Sequence, residues 1–534
     1  MSQTGSTLRP ASGAASGRAA TPAGDADART GFIRELRLFD CTMIVAGSMI
    51  GSGIYITSAD IARQVGAPGW LIGTWIISGL LTLLAALCYG ELAGMFPQAG
   101  GQYVYLREAY GPLFGFLYGW TLFLVIQTGT IAAVGVAFAR FLGVLVPAVS
   151  PTAWIIRPIN LSENYALSLS WQQLIGVLMI ALLTAVNTRG LRIGKLVQNV
   201  FTSVKTLSLL AVIAFGLIVG MGGTSLGENL RQFWTPANVN TIKPDLSALA
   251  PTSAAMGIGG LLVAICIAQV GSLFSSDAWN NVTFAAGEVK QAERTVPLAM
   301  AAGTGLVTLL YVLANVAYLA AMPLARVQGA PDDRVATAML GSVLGDSGAK
   351  VMAAAILVST FGCNNGLILA GARVYYAMAK DRLFFPSIGR LNAHRVPQMG
   401  LLLQGVWACL LVLPRTRLKT AAGAPLQDAG GMEQYGNLYS DLLDYVVFSA
   451  LLFYVLTIIG IFVLRRKRPE MARPFKAPGY PLLPAFYVAA ATLIMAVLIL
   501  YKTRTTWPGL VIVLTGLPVY LLWRRSLGHR SPAP

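Results

Sequence analysis

The sequence predicts an all-α integral membrane protein of twelve transmembrane helices, on three observations. Of 534 residues, 55% are apolar and only 11% are charged, against roughly 25% charged in soluble domains. The apolar residues fall in blocks of about 20, each long enough to cross about 30 Å of hydrocarbon as a helix. The blocks are apolar on every face, whereas barrel strands alternate apolar and polar residues over about ten positions. A soluble globular protein is excluded and a barrel is disfavoured.

Taken in order, residues 1 to about 30 are rich in Ser, Gly, Ala, Thr and Pro and predict a disordered cytoplasmic tail. No basic segment followed by a short apolar run lies near Met1, so the first block, from about Phe39, is expected to be a retained helix and not a cleaved signal. The twelve blocks are about 39–63, 69–96, 111–146, 170–188, 196–220, 254–287, 297–322, 350–379, 399–414, 441–464, 482–502 and 506–523. A transporter domain is therefore expected over 31–525, with a short cytoplasmic tail at 526–534. An even span count places both termini on one side. With that side cytoplasmic, 24 Lys and Arg fall in inner segments and 12 in outer ones, and the run Arg465-Arg466-Lys467-Arg468 is the strongest single stop.

The net charge of +17 lies between apolar blocks and not on one face or tail, so no nucleic-acid partner is expected; the bilayer is. Five cysteines, all in or beside apolar segments, offer neither a disulfide framework nor a metal knuckle. Two histidines in polar loops leave no His-rich metal site and no intramembrane His relay. No cofactor or metal is expected.

Two spans depart from a plain helix. The first carries Gly47-Ser48-Met49-Ile50-Gly51-Ser52-Gly53, and the sixth carries Gly271-Ser272-Leu273-Phe274-Ser275-Ser276-Asp277, with an acid at membrane depth. Glycine weakens a helix and removes side-chain cover. Unwound backbone there is tolerated only where it lines protein or a polar cavity, and its N–H and C=O groups suit a carboxylate and an ammonium group. Small residues also serve close helix packing, but here the breaks fall five spans apart. Spans one to five (about 39–220) and six to ten (about 254–464) can thus be two repeats of opposite topology, with spans eleven and twelve (about 482–523) appended.

The stretches GSMIGSGIYI from Gly47, YGELAGMFPQAGGQYVYLREAYGPLFGFLYGW from Tyr89, SSDAWNNVTFAAGEVKQAERTVPLAM from Ser275 and FGCNNGLILAGARVYYAMAKDRLFFP from Phe361 resemble signatures of the amino acid–polyamine–organocation (APC) superfamily, most of all its L-type amino acid transporter branch. The segment LLDYVVFSALLFYVLTIIGIFVLRRKRPEMARPFKAPGYPLLP from Leu442 extends the likeness over about residues 35 to 525. The resemblance implies a LeuT-like fold, a 5+5 inverted repeat with helices 1 and 6 discontinuous. It implies a substrate carboxylate on the backbone of Ser48, Met49, Ile50, Gly51, Ser52 and Gly53, with the Ser52 hydroxyl the first choice. It implies an α-ammonium group on the carbonyls of Phe274, Ser275, Ser276 and Asp277, and an aromatic gate at Phe274.

Lys205, mid-span, costs a few kcal/mol to insert and must face a polar interior, pair or lose its proton. By resemblance its ammonium group occupies the cation position of sodium-coupled relatives, which implies sodium-independent transport. Ser359 and Thr360 are its expected polar neighbours. Asp277 reads either as a cap on the second half-helix or as a partner for a cationic substrate. Glu91, Glu288 and Glu293 lie near inner span ends, with Arg107, Lys290, Arg294 and Arg382 available; Arg140 and Arg373 have no assigned role. Heteromeric members carry a cysteine between spans three and four, but residues 147–169 hold none, so no disulfide-linked heavy chain is expected. The loop from about Arg415 to Ser440 is longer and more polar than the family's.

The leading reading is a plasma-membrane amino acid permease, sodium-independent, exchanging neutral amino acids by alternating access. A proton-coupled symporter or a cationic amino acid transporter stands second, and an amino acid sensor is a distant third. An enzyme is not expected, because no HExxH, GxSxG, DxD or Walker pattern sits at a span end. The particular amino acid and the oligomeric state are not legible.

Overall fold

The computed structural model describes residues 34–189, 191–236, 258–418, 424–427, 433–436 and 438–528. The expected N-terminal tail lies outside them, as do residues 529–534 and parts of the loop after span nine. The architecture is a bundle of apolar helices. Among the described residues, eight helices are long and apolar enough to cross a membrane, and the bent pair α1 (Leu38–Met49) and α2 (Gly53–Val65) makes a ninth if it is one span. Three shorter apolar helices, Trp171–Asn187, Gly259–Ser275 and Gln398–Leu411, stand where spans four, six and nine were expected.

Local sequence sets the ends. α3 (Pro68–Met95) starts on a proline, whose missing N–H costs nothing there, and follows Gly66, which closes α2 at φ 68°. A helical turn at Gln102–Tyr110, α4, precedes α5 (Pro112–Thr121), which runs through a π-turn at Leu122–Ile126 into α6 (Gln127–Leu145). α7 (Trp171–Asn187) opens with a reciprocal capping box: Gln173 N donates to Ser170 Oγ at 3.3 Å and Ser170 N to Gln173 Oε1 at 2.8 Å. α6 and α7 approach so closely that a Cβ on Gly176 would lie 3.2 Å from the Gly135 backbone.

The chain continues through α8 (Leu191–Gly222), α9 (Ser225–Arg231), α10 (Ile258–Ser275), α11 (Asn281–Phe284) and α12 (Ala292–Ala321). α13 (Leu324–Gln328) leads to α14 (Val335–Lys380), which breaks at Gly345, φ 62°. α15 (Gln398–Leu411), α16 (Leu438–Lys467), α17 (Leu482–Tyr501) and α18 (Thr503–Gly528) complete the bundle.

One feature corrects the all-α expectation. β1 (Trp154–Asn160), β2 (Tyr165–Ser170) and β3 (Pro414–Thr416) form an antiparallel sheet in the order β1-β2-β3. The long loop after α15 thus adds a strand to the hairpin between α6 and α7. Arg417 donates to both Glu433 carboxylate oxygens, at 3.2 and 2.8 Å, and Tyr435 OH reaches Asn160 Oδ1 at 3.3 Å. The Arg417 guanidinium holds the Glu433 carboxyl below its ordinary range.

Candidate functional site

The first glycine-rich stretch ends one helix and begins another. α1 stops at Met49, Ile50 is extended at φ −71° and ψ 90°, and α2 starts at Gly53, bent by 43° from α1. The second stretch ends α10 at Ser275; Ala278 then takes a left-handed φ of 64° before the four residues of α11. The two breaks touch. A Cβ on Gly53 would lie 2.2 Å from Ser275 Oγ and 2.9 Å from Ser275 Cα, so only glycine permits this approach.

Side chains from three other helices converge there. The Tyr311 hydroxyl, on α12, lies 2.8 Å from Met49 O and 3.1 Å from Ser275 O, bridging both breaks. Thr57 Oγ1 is 3.1 Å from Ser275 Oγ. From α14, Ser359 Oγ donates to Ile50 O at 3.4 Å and Cys363 Sγ to Ser48 O at 3.1 Å. From α8, Lys205 is fully buried and its Nζ donates to Gly47 O. Ser359 and Thr360, expected beside Lys205, bond elsewhere, Thr360 to its own helix at Ile356 O, 2.9 Å. Ser48 and Ser52 are both buried, and Ser48 Oγ has no hydrogen-bond partner among the described residues. Phe274 is buried in the apolar core.

Asp277 does not cap α11. The residue before that helix is Asn280, which makes no side-chain cap bond; the Asp277 carboxylate accepts instead from Tyr454 OH on α16. A polar cavity borders it, lined also by Gln127, Thr130, Asn280, Asn281 and Tyr454. A second cavity meets Ser276, Asp277, Thr82 and Tyr487. Residues 47–53 line neither, so these cavities reach the second break alone. Asn281 is buried and its Nδ2 has no partner among the described residues. Sequence reasoning missed Tyr311, Gln127 and Asn281; the available signal was a polar residue inside an apolar block.

Two of the carboxylates expected near the inner span ends, Glu91 and Glu288, find arginines, but other ones. Glu91, fully buried, accepts from Arg465 Nε at 2.9 Å, from Arg465 Nη2 at 2.6 Å and from Ala477 N at 2.8 Å, with Arg473 Nε 3.4 Å away. Glu288 pairs with Arg373, both 2% exposed, at 2.6 and 3.1 Å. Beside that pair the backbone clasps itself: Leu36 N donates to Glu288 O at 3.0 Å and Lys290 N to Leu36 O at 2.9 Å.

Removing Glu91 leaves Arg465 and Arg473 without their counter-ion. Breaking a buried pair in this way costs about 3 to 5 kcal/mol, and the low end applies because Arg465 is 24% exposed. Glu91→Ala is expected to lower the midpoint of thermal unfolding in detergent by several degrees, whereas the exposed Glu293→Ala should cost under about 0.5 kcal/mol.

A bundle of apolar helices whose two breaks meet at a buried centre, among hydroxyls, amides and one lysine, defines a multi-pass membrane protein with a polar interior site. The chain belongs to the amino acid permease family, whose pattern matches residues 36–521. It is similar to the large neutral amino acids transporter small subunit 2 of Homo sapiens, 29% identical over 496 residues, 92% of this chain and 80% of that protein. It is similar to the b(0,+)-type amino acid transporter 1 of Mus musculus, 26% identical over 504 residues, 92% and 88% of the two chains. The serine/threonine exchanger SteT of Bacillus subtilis (strain 168) is 25% identical over 494 residues, 92% and 97%.

Proposed function

We propose that this protein is a sodium-independent exchanger of neutral amino acids in the plasma membrane, working by alternating access around the two touching breaks. The observation that carries it is the contact of Gly53 with Ser275 under Tyr311, which brings both interrupted helices to one buried point. The first N–H groups of a helix lack i−4 partners and carry the positive end of the helix dipole; Tyr55 N already donates to Ser52 O at 3.1 Å, so those of Gly53 and Ile54 suit a carboxylate. The Ser48 or Ser52 hydroxyl assists them. The carbonyls of Phe274 to Asp277 take the α-ammonium group, Phe274 closes over the substrate, and Lys205 stands in place of a coupling cation. Ser359 holds the first break open, and Thr360 lies on the same turn.

In this reading the nine long or bent spans and the three short apolar helices make twelve spans in a 5+5 inverted repeat with two helices appended. Both termini are cytoplasmic. Transport needs no covalent step, and no cofactor or metal takes part. The cysteine-free segment 147–169 supports a protein without a disulfide-linked heavy chain, although one relative is by name a small subunit.

Uptake of labelled amino acids into proteoliposomes tests this. Uptake that requires internal amino acid and ignores sodium and a pH gradient is expected; uptake into empty vesicles driven by the pH gradient would replace the exchanger with a proton-coupled symporter. A second reading, cationic substrates, is favoured by Asp277, which lines both cavities with no ion pair among the described residues. Inhibition by arginine that Asp277→Asn abolishes would establish it.

A further inference from the structure

The outer end of α2 is held by a contact that no sequence motif announces. Arg63, on its last turn, is 4% exposed. Its Nη1 lies 2.8 Å from Gln328 O and 2.8 Å from Asp333 Oδ1, and its Nη2 lies 3.4 Å from Asp60 Oδ1. The contact is reciprocated, since Gln328 Nε2 donates to Ala62 O at 3.0 Å. Asp332 and Asp333 both adopt left-handed backbone, φ 48° and 62°, a conformation uncommon for any residue but glycine. The same turn is moored on its other side: Arg140 Nη1, near the end of α6, donates to Asp332 O at 3.1 Å, and Arg334 Nη2 lies 2.9 Å from Asp332 Oδ2.

The segment 324–334 therefore joins the outer half of the bent helix to the end of α6. α2 spans 13 residues, or about 20 Å, so Arg63 stands far from the break and touches no substrate. Yet α2 carries Gly53 at its other end. In the alternating-access reading, opening the break to the outside moves the outer end of α2 away from residues 324–334, and that movement breaks the bonds of Arg63.

We propose that Arg63 is a positioning residue for transport: paired with Asp333, it latches α2 shut on the outer side and sets how much of the protein is open to the outside. This rests on the alternating-access reading. A ligand that binds only one state has an apparent dissociation constant divided by the population of that state. Weakening the latch must therefore tighten half-saturation from outside and weaken it from inside. A general loss of structure would not move the two in opposite directions.

The test uses the full chain in proteoliposomes. Asp333→Asn removes the charge from a partly exposed turn and keeps its shape. The expected result is an external half-saturating concentration lowered and an internal one raised, with about a tenfold change in their ratio. A second readout needs no substrate. Ser58, buried on α2, is replaced by Cys and its modification by a membrane-impermeant maleimide is timed, against the parent protein with its native cysteines. Asp333→Asn should speed labelling from the outer side about tenfold in protein with an unchanged elution profile. Unchanged labelling, or half-saturation shifted the same way on both sides, overturns the latch. Faster labelling in a protein that exchanges no amino acid upholds the latch and overturns the transport reading instead.

Discussion

Gly53→Val is expected to abolish exchange while leaving the protein in the membrane. The added Cβ meets Ser275 Oγ at 2.2 Å, Ser275 Cβ at 2.6 Å and Ser275 Cα at 2.9 Å. A flexible side-chain end can swing away, but the Cα belongs to the end of α10, so the two broken helices must move apart. Overpacking of this kind costs about 1 to 3 kcal/mol, an amount a bundle of this size absorbs as a local shift. The shift falls where it does the most damage, because Met49 O and Ser275 O are both addressed by Tyr311 and lose their common donor as they separate. Exchange should drop below about a tenth of the parental rate, as 1.4 kcal/mol lost at the site already accounts for a factor of ten. Gly305→Ala is the control: its Cβ meets nothing within 4 Å. Parental exchange in a correctly inserted Gly53→Val protein would show that the contact of the breaks is incidental to transport.

Much of this arrangement was legible because membrane insertion leaves few options for a polar residue. Glycines and serines at Gly47–Gly53 stand out against an apolar block, and there α1 gives way to α2 with a bend of 43°. Lys205 stands out for its charge, and it is found against Gly47 O. Partners were another matter. Glu91 meets Arg465 across 374 positions and Glu288 meets Arg373 across 85, whereas the sequence offered Arg107, Lys290, Arg294 and Arg382 by nearness in the chain. Helices that are apolar all round give no periodicity from which to read facing, so the polarity of Tyr311 and Asn281 marked them out without showing which helix each faces. The sheet was missed for a related reason: β2 and β3 lie in separate loops, and Tyr165 pairs with Thr416 without a hairpin turn between them to signal it.

The second large effect is expected at Lys205. An ammonium group at membrane depth costs a few kcal/mol, and here it is offset by the carbonyl of Gly47, in the last turn of α1 before the break. A hydrogen bond to a charged group contributes about 1.5 to 3 kcal/mol. If α8 makes this bond in only one of the two access states, its loss changes their balance by about 10- to 100-fold. Lys205→Ala should therefore cut exchange by at least about tenfold, and sodium should matter only in the variant, where a cation can approach the carbonyl that the ammonium group has vacated. Lys205→Arg separates two roles for the charge. Arginine keeps the positive charge but does not give up its proton, so an exchanger that needs only a fixed cation retains part of its activity. A proton-coupled symporter loses gradient-driven uptake in both variants. Partial exchange in Lys205→Arg, indifferent to the pH gradient, therefore identifies the lysine as a built-in cation. Full activity in Lys205→Ala would remove it from the mechanism and leave the first break to be held by Tyr311, Ser359 and Cys363 alone.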